Sequence, residues 1–515
     1  MAKLILLIVC FCLQIIFAFG QNTFMKSIDM DNGSDSGYQI ISMQDGYLIM
    51  VGSVCSNNTV NCFGFLSVDS IFENIFYKKQ YEASPHQINL GSVQACSVAS
   101  GRYYFAGGIS TENEEIQTYF MEFDTTTGDS LFSITRGGQY RDFTRSIIAA
   151  SDSTLALLNY KTISPGQDII SLEGIDSSGN VLWENVFGQE YNYINPQSLA
   201  KLSNGDLLLT YSTCSIPNAG SLCDAEGYDL TMTRTDAEGH EIWTHNYPAS
   251  VLSTSSQVLA VDDGGFVVSW ARDFWFELDS LISFPPSVLW FNAQGELTNS
   301  YYFSANDYKR TLINLYRTAN GDIIGMGSIN LLDEDLGVAG WIFRLNPQGE
   351  LLWERRIADL TRPYLRSWLS SAVENADGSL VFVGTILDTY TDQTPVINDY
   401  NVWVVKLDSD GCLEPDCGTY QVITSTTAEV VSTGSPELRI YPNPTRGAFQ
   451  AGMEGFQQPL YPAVVALRDM NGRLVRQVEQ SGNADIDIAG LPAGIYVVQV
   501  RTAAGQIGVA RVVVQ

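Results

Sequence analysis

From residue 23 to residue 417 the chain repeats one pattern of apolar and polar positions. A Gly-bearing polar turn precedes an almost continuous apolar run. It reads DGYLIMVGS from Asp45, SGRYYFAGG from Ser100, SDSTLALLN from Ser151 and NGDLLLTYS from Asn204. It continues as GGFVVSWAR from Gly264, NGDIIGMGS from Asn320 and DGSLVFVGT from Asp377. Further along each repeat, an alternating strand ends in Asp or Asn, turns through Gly, and leads into another strand that often carries Trp, as in LEGIDSSGNVLWENVFG from Leu172. The turn residues are Asp69, Asp124, Asp176, Asp236, Asn292, Asn346 and Asp408, spaced by 55, 52, 60, 56, 54 and 62. A fixed period of this length marks a repeat array.

The pattern predicts four antiparallel strands per repeat. Asp or Asn closes the tight turn with its side chain, and Gly supplies the positive φ. Strands apolar along their whole length are covered on both faces. One such sheet cannot bury both faces alone, but seven around an axis bury them all and leave short edges. The predicted fold is all-β: a seven-bladed β-propeller over 21–418. The last repeat stops at GCLEPDCG without a proper fourth strand, while TFMKSID from Thr23 resembles the outer strands of the other repeats. The N-terminal strand is therefore expected to complete blade seven.

Residues 419–436, TYQVITSTTAEVVSTGSP, read as a Ser/Thr-rich linker. Residues 437–515 alternate over short segments, AVVALRD, GRLVRQVEQ, GIYVVQVRT and GVARVVVQ, and predict a small Ig-like β-sandwich. Residues 1–20, MAKLILLIVCFCLQIIFAFG, have a basic start, a short apolar run and small residues before Gln21. This is the form of a secretory signal peptide, and the mature chain is expected to carry no transmembrane anchor. The net charge of −29 argues against nucleic acid as a partner and suits a soluble exported protein.

The C-terminal segment resembles the type A sorting domain of the type IX secretion system of Bacteroidetes. The matching residues are Tyr441, Pro442, Asn443, Pro444, Gly447 and Phe449, then Asp469, Asn471 and Gly472 at a middle turn. Leu491, Gly494, Ile495 and Tyr496 match a late strand, and Val512 to Val514 the terminus, where Arg511 stands in place of the usual Lys. The resemblance implies handling by the type IX machinery and passage across the outer membrane to the surface or medium. The repeats resemble propeller repeats of many exported Bacteroidetes proteins, and their turn-then-Trp pattern is similar to quinoprotein-type blades.

Outside the signal peptide, cysteines fall as Cys55/Cys62, Cys214/Cys223 and Cys412/Cys417, with Cys96 alone. In an exported chain, close pairs predict disulfides rather than zinc, and Cys96 is expected to be a buried free thiol. HEIWTH at 240–245 misses the metalloprotease motif, which needs two His one helical turn apart. Acidic loops at 29–35, 333–335 and 408–410 offer carboxylates of the kind calcium takes, without a full calcium loop. No cofactor is otherwise implied, and no nucleophile elbow, phosphate loop or dinucleotide fingerprint appears.

Strand alternation places both turn types on one face and the long connections on the other. Variable loops on one face of a repeat array form its binding face. There Phe274, Trp275 and Phe276, with Tyr191, Tyr193 and Tyr390, are candidates for an aromatic platform. Packing of these rings between blades is the competing reading. The expected function is a non-enzymatic binding module for glycan or protein. The rivals are a polysaccharide hydrolase or lyase, with carboxylates near the axis, and a quinone-dependent dehydrogenase.

Overall fold

The computed structural model describes residues 23–30, 34–54, 61–81, 88–98, 101–110, 116–191, 193–214, 229–247, 257–270, 286–303 and 309–331. It further describes 337–359, 365–390, 397–413, 417, 420–423, 437–454, 461–469, 474–482, 485–502 and 507–514. All regular structure in these ranges is strand, apart from one 3-10 turn at Asp262–Gly264. The repeats form seven antiparallel sheets. The innermost strands are Asp35–Met43, Ile88–Ser97, Asp142–Ala149, Tyr193–Lys201, Val258–Ala260, Lys309–Arg317 and Leu365–Glu374. They contact one another in a closed cycle, the first against the last. The protein is a seven-bladed β-propeller followed by a two-sheet C-terminal domain.

Phe24–Ile28 pairs antiparallel with Ile397–Leu407, running from Phe24 opposite Lys406 to Ile28 opposite Val402. It is the outer strand of blade seven, so the ring closes by joining the two ends of the repeat region. Blades six and seven are further linked by a short parallel pairing of Gly337 and Val338 with Leu365 and Arg366. The region read as a linker differs from expectation. Tyr420–Ile423 adds a parallel strand to the outer edge of blade six, opposite Arg356–Asp359. Blade six offers its outer strand's open ladder to receive it.

The repeated turns have one geometry. Asp176 accepts the N–H groups of Ser178 and Asn180 through Oδ1, at 2.8 and 2.9 Å. Its carboxyl is held below the usual range by the Asn180 side chain and these N–H donors. Asp236, Asn292, Asn346 and Asp408 make the same two bonds to residues two and four ahead. The Gly three residues on takes φ between 72° and 81° in blades three to seven. Each turn also lodges under the outer strand of the preceding blade. A Cβ on Gly239 would lie 2.5 Å from Trp183, and one on Gly411 2.8 Å from Trp353. Side chains on the same outer strands bond the next turn's carbonyls. Asn185 donates to Glu238 O, Trp243 to Ala293 O, Asn299 to Gln348 O and Arg355 to Asp410 O. The recurrent Trp is thus an inter-blade wedge.

The closing contact uses the same device with one exchange. Lys26 donates to Phe72 O at 2.9 Å, across the junction of blades seven and one. Phe72 stands where the turns of blades three to seven have Gly, and it takes φ 58°. Its ring is 6 % exposed and packs on Phe24 at 5.3 Å and Tyr47 at 5.1 Å. A strained backbone is accepted here because the ring fills the seam against the borrowed strand.

In the C-terminal domain, Leu438, Phe449, Val465, Tyr496, Val498 and Val512 fill the space between its two sheets. Of the pairs read as disulfides, Cys412–Cys417 is formed, with a Cα separation of 5.6 Å. Cys62 and Cys214 are disulfide-bonded, and their expected partners Cys55 and Cys223 lie outside the described residues. Cys96 is free and half-buried, with burial pushing its thiol up to about 12.

Phe72 gives a test of the closing seam. Phe72→Ala is expected to cost roughly 3 kcal/mol from lost packing. Phe72→Gly is expected to cost about 1 kcal/mol less, because it relieves the positive φ. Urea denaturation of the mature chain reads both; the usual order, Gly worse than Ala, would contradict the seam described here.

Candidate functional site

The innermost strands share a feature that periodicity did not reveal. Each of six carries a bulge at the same height, between Gly37 and Gln39, Asn89 and Gln94, Thr144 and Ser146, Pro196 and Ser198, Leu312 and Asn314, and Leu369 and Ser371. A bulge re-aims the following side chain. The residue after it is polar and reaches the neighbouring inner strand. Gln39 bonds both Ala95 N and Ala95 O, Ser146 bonds Gln94, Ser198 bonds Gln257, and Asn314 bonds Ser370 O. Ile40 N donates to Ser371 across the junction of blades seven and one. The polar side chains at this height are engaged in holding blades together, and Arg145, the bulged residue of blade three, adds a charge among them.

Blade three carries a charged cluster. On its side facing blade two, Lys161 Nζ lies 2.6 Å from Glu173 Oε1, 2.6 Å from Glu184 Oε1 and 4.0 Å from Asp142 Oδ2. Arg136, from the outer strand of blade two, pairs with Glu173 at 2.9 Å. Thr118 of blade two bonds Asp142 Oδ1 at 3.2 Å. Asn159, 1 % exposed, accepts from Thr144 through Oδ1, and its Nδ2 is buried without a partner. Burial raises the Asp142 carboxyl to about 6; Lys161 opposes that shift and Glu173 adds to it. The same burial works against the charge on Lys161, but Glu173 and Glu184 outweigh it, so its ammonium is held above its usual value.

The opposite side of blade three carries rings. Phe143 and Tyr160 lie 5.3 Å apart. Burial and a hydrogen bond to Asp168 push the Tyr160 hydroxyl up, with Arg141 opposing and Tyr193 adding. Blade three also has the shortest connection between its second and third strands: Leu155–Ser164 meets Gln167–Ile175 directly. In blade four the corresponding strands end at Cys214 and resume at Asp229.

Of the six expected platform residues, Tyr193 is 37 % exposed at the start of blade four's inner strand, near Tyr160. Tyr191 rests half-buried against the apolar cluster between blades three and four. Phe274, Trp275 and Phe276 lie outside the described residues, as does the side chain of Tyr390, which ends a strand. The structure adds Phe143 and Tyr160, which sequence reasoning missed. Asp142, Lys161 and Glu173 were also missed, although a signal existed. Three residues before each turn Asp or Asn stand Leu66, Met121, Thr233, Leu289, Phe343 and Val405, and in blade three alone Glu173.

His240 and His245 each have a local role. His240 Nδ1 meets Asp236 Oδ2 at 2.9 Å within its turn, and His245 Nε2 meets Gln294 O at 2.9 Å on the next blade. Asp408 directs its carboxyl to the N–H groups of Asp410 and Cys412. Residues 31–33 and 333–335, in the other acidic loops considered for calcium, lie outside the described residues. Among the described residues, no group of three or more His, Cys, Asp or Glu is placed to hold a metal ion.

The C-terminal domain has its own site. Asn443 donates to Arg511 O and accepts from Val513 N, both at 2.8 Å. Thr445 N donates to Val513 O at 2.8 Å. The YPNP segment thus grips the terminal strand Ile507–Val514. Residues 439–515 match the secretion system C-terminal sorting domain. The C-terminal domain is a sorting domain. It directs export by the type IX secretion system to the cell surface or extracellular space. Gly472 of its expected motif lies outside the described residues. Among the described residues no helix is long and apolar enough to cross a membrane.

No curated protein is similar to the chain in sequence. Among solved structures, the propeller is similar to a subtype N11 neuraminidase-like protein of A/flat-faced bat/Peru/033/2010 (H18N11). That likeness has 8 % identity and TM-score 0.37, covering 62 % of this chain and 88 % of that one. A GH93 α-L-arabinofuranosidase of Fusarium graminearum is 12 % identical with TM-score 0.38, covering 62 % and 94 %. A protein of unknown function from Dyadobacter fermentans is 9 % identical with TM-score 0.41, covering 75 % and 97 %.

Two outcomes follow from these sites. Asp142 is protonated in both states below about pH 4. Between about 4 and 6 only the unfolded chain loses the proton, so stability falls as pH rises, then levels off above about 6. Asp142→Asn is therefore expected to stabilise the mature chain by up to ~3 kcal/mol at pH 8 and not at pH 3.5; paired thermal melts read the difference. Asn443→Ala removes two bonds to the terminal strand, about 1–2 kcal/mol, and is expected to retain the protein in the periplasm. Undiminished surface labelling would contradict that role.

Proposed function

We propose that this exported propeller is a glycan-binding module, with its ligand seated at the mouth of the axis over blade three. The observation that carries the reading is the grouping of Phe143, Tyr160 and exposed Tyr193 on one side of blade three, with Asp142 on its other side at the start of the same inner strand. Aromatic faces stack on the apolar faces of sugar rings, while a few convergent polar groups fix orientation.

A second reading, hydrolase or lyase action on extracellular polysaccharide, is favoured by Asp142. A carboxyl pushed to about 6 near a channel mouth suits proton transfer to a leaving oxygen. It needs a second carboxylate on the substrate's other side. Glu173 and Glu184 are both engaged by Lys161, so binding is preferred over turnover.

Affinity electrophoresis of the mature chain in gels containing neutral or anionic polysaccharides tests the reading. Retardation is expected in at least one gel. Phe143→Ala and Tyr193→Ala are each expected to weaken it roughly tenfold without changing the thermal melt. Release of reducing ends that Asp142→Asn abolishes would move the assignment to the hydrolase.

A further inference from the structure

The seven blades act as controls for one another. At the position of Glu173 the other blades carry Leu66, Met121, Thr233, Leu289, Phe343 and Val405. At the position of Lys161, opposite the start of the innermost strand, they carry neutral residues, among them Ile109, Thr213, Ile329 and Ile386. Blade six does place an ion pair, Arg310 with Glu354, at the positions of Asp142 and Glu184, and blade one has Asp35 at the position of Asp142, while the upper half of the two–three interface holds five charged groups. Charge buried against a working apolar alternative is costly, and departures from a fold's own rule concentrate at functional sites.

The slot is also incomplete. The Asn159 side chain, 1 % exposed, has one amide group bonded to Thr144 and the other without a partner. A buried amide left unpaired is destabilising, and turning it end for end leaves one end unmet all the same. Asp142, with its side chain 16 % exposed, has Oδ1 on Thr118 and Oδ2 4.0 Å from Lys161, beyond hydrogen-bonding distance. Between the blades lie a buried unmet amide and, nearer the surface, a carboxylate oxygen with capacity left. These suit a hydroxyl group, which both donates and accepts.

We infer that the slot between blades two and three is a subsite for the hydroxyl edge of a neutral saccharide, Asp142 accepting and the Asn159 amide donating. The inference rests on the glycan reading and names the ligand class. A uronic acid would meet Glu173 and Glu184 with Lys161 and Arg136 already paired, so anionic sugars are disfavoured. Asp142 faces Lys161 and Glu173 of its own blade and Arg136 of blade two. Its ionised form accepts stronger hydrogen bonds than its acid form. Affinity should then rise from pH 5 to pH 7.5.

The test titrates the mature chain with laminarin, arabinan, galactomannan and starch as neutral probes, and with pectate and alginate as anionic ones. Wild type is expected to bind a neutral probe, more tightly at pH 7.5 than at pH 5. Asp142→Asn, which keeps shape, is expected to weaken binding roughly tenfold at pH 7.5 and to abolish the pH dependence. Asn159→Val is expected to weaken binding by a similar factor. A crystal structure of the complex should show a sugar hydroxyl within hydrogen-bonding distance of Asn159. Binding lost in Phe143→Ala but unchanged in Asp142→Asn and Asn159→Val would overturn the subsite and leave the glycan reading standing. Water alone beside Asn159 in the complex, or a preference for pectate or alginate, would also overturn the subsite. Failure of wild type to bind any probe would overturn both.

Discussion

A four-stranded antiparallel sheet made of apolar strands has two faces to cover and cannot cover either by itself. Here every blade supplies the cover for the next, and the contact that fixes the angle between them is the turn lodged beneath the outer strand. The turn's side-chain oxygen ties up its own N–H groups, which leaves its carbonyls pointing outward. The preceding blade takes those carbonyls with Asn185, Trp243, Asn299 or Arg355. The donors differ chemically while the acceptor stays backbone, so the joint tolerates sequence change that a side chain to side chain joint would not. Nearer the axis, polar groups after the bulges bond neighbouring inner strands and fix the same spacing from inside. Arg234 and Arg344 add a third tie, each bonding an acid in its own blade and a carbonyl on the next.

A chain of identical joints still has two ends, and joining them is the least local event in the fold. The borrowed strand buries little by itself, since Phe24 and Ile28 are only partly covered. Its hold comes from the ladder with residues 402–406 and from Phe72, which gives up the relaxed backbone of Gly to place a ring in the seam. The first turn of the array is the one place where a standard joint would have had the least chain behind it. A bulky wedge is a reasonable exchange there, because conformational strain of about 1–2 kcal/mol is smaller than the burial of a Phe ring.

The repeat, its blade count and its closure were legible in the sequence because they rest on period, alternation and turn chemistry, all of which are local. The sorting domain was legible because Tyr441 to Phe449 form a contiguous signature. The short strand at Tyr420–Ile423 was not, since Ser and Thr around it lower its apolar content and its only partner lies on another blade. The site at blade three was hidden for another reason. Phe143, Tyr160 and Tyr193 come from three strands, and nothing in their spacing marks them as neighbours. Glu173 is different. Its oddity was visible once the turns were aligned, but it gains meaning only with Lys161 and Arg136 beside it, and strand register supplies that.

The two ends of the molecule meet the same physical problem in different ways. The propeller hides its last edge by pairing it with the first strand. The sorting domain pairs its last strand with Gly494–Arg501 and holds the strand's other edge with Asn443, whose amide meets a carbonyl and an N–H of that strand at once. An amide can do this and a carboxylate cannot, because only the amide both donates and accepts. The grip ties the YPNP segment to the last residues of the chain, so a chain cut short at its C-terminus would lose the partner that shapes the motif.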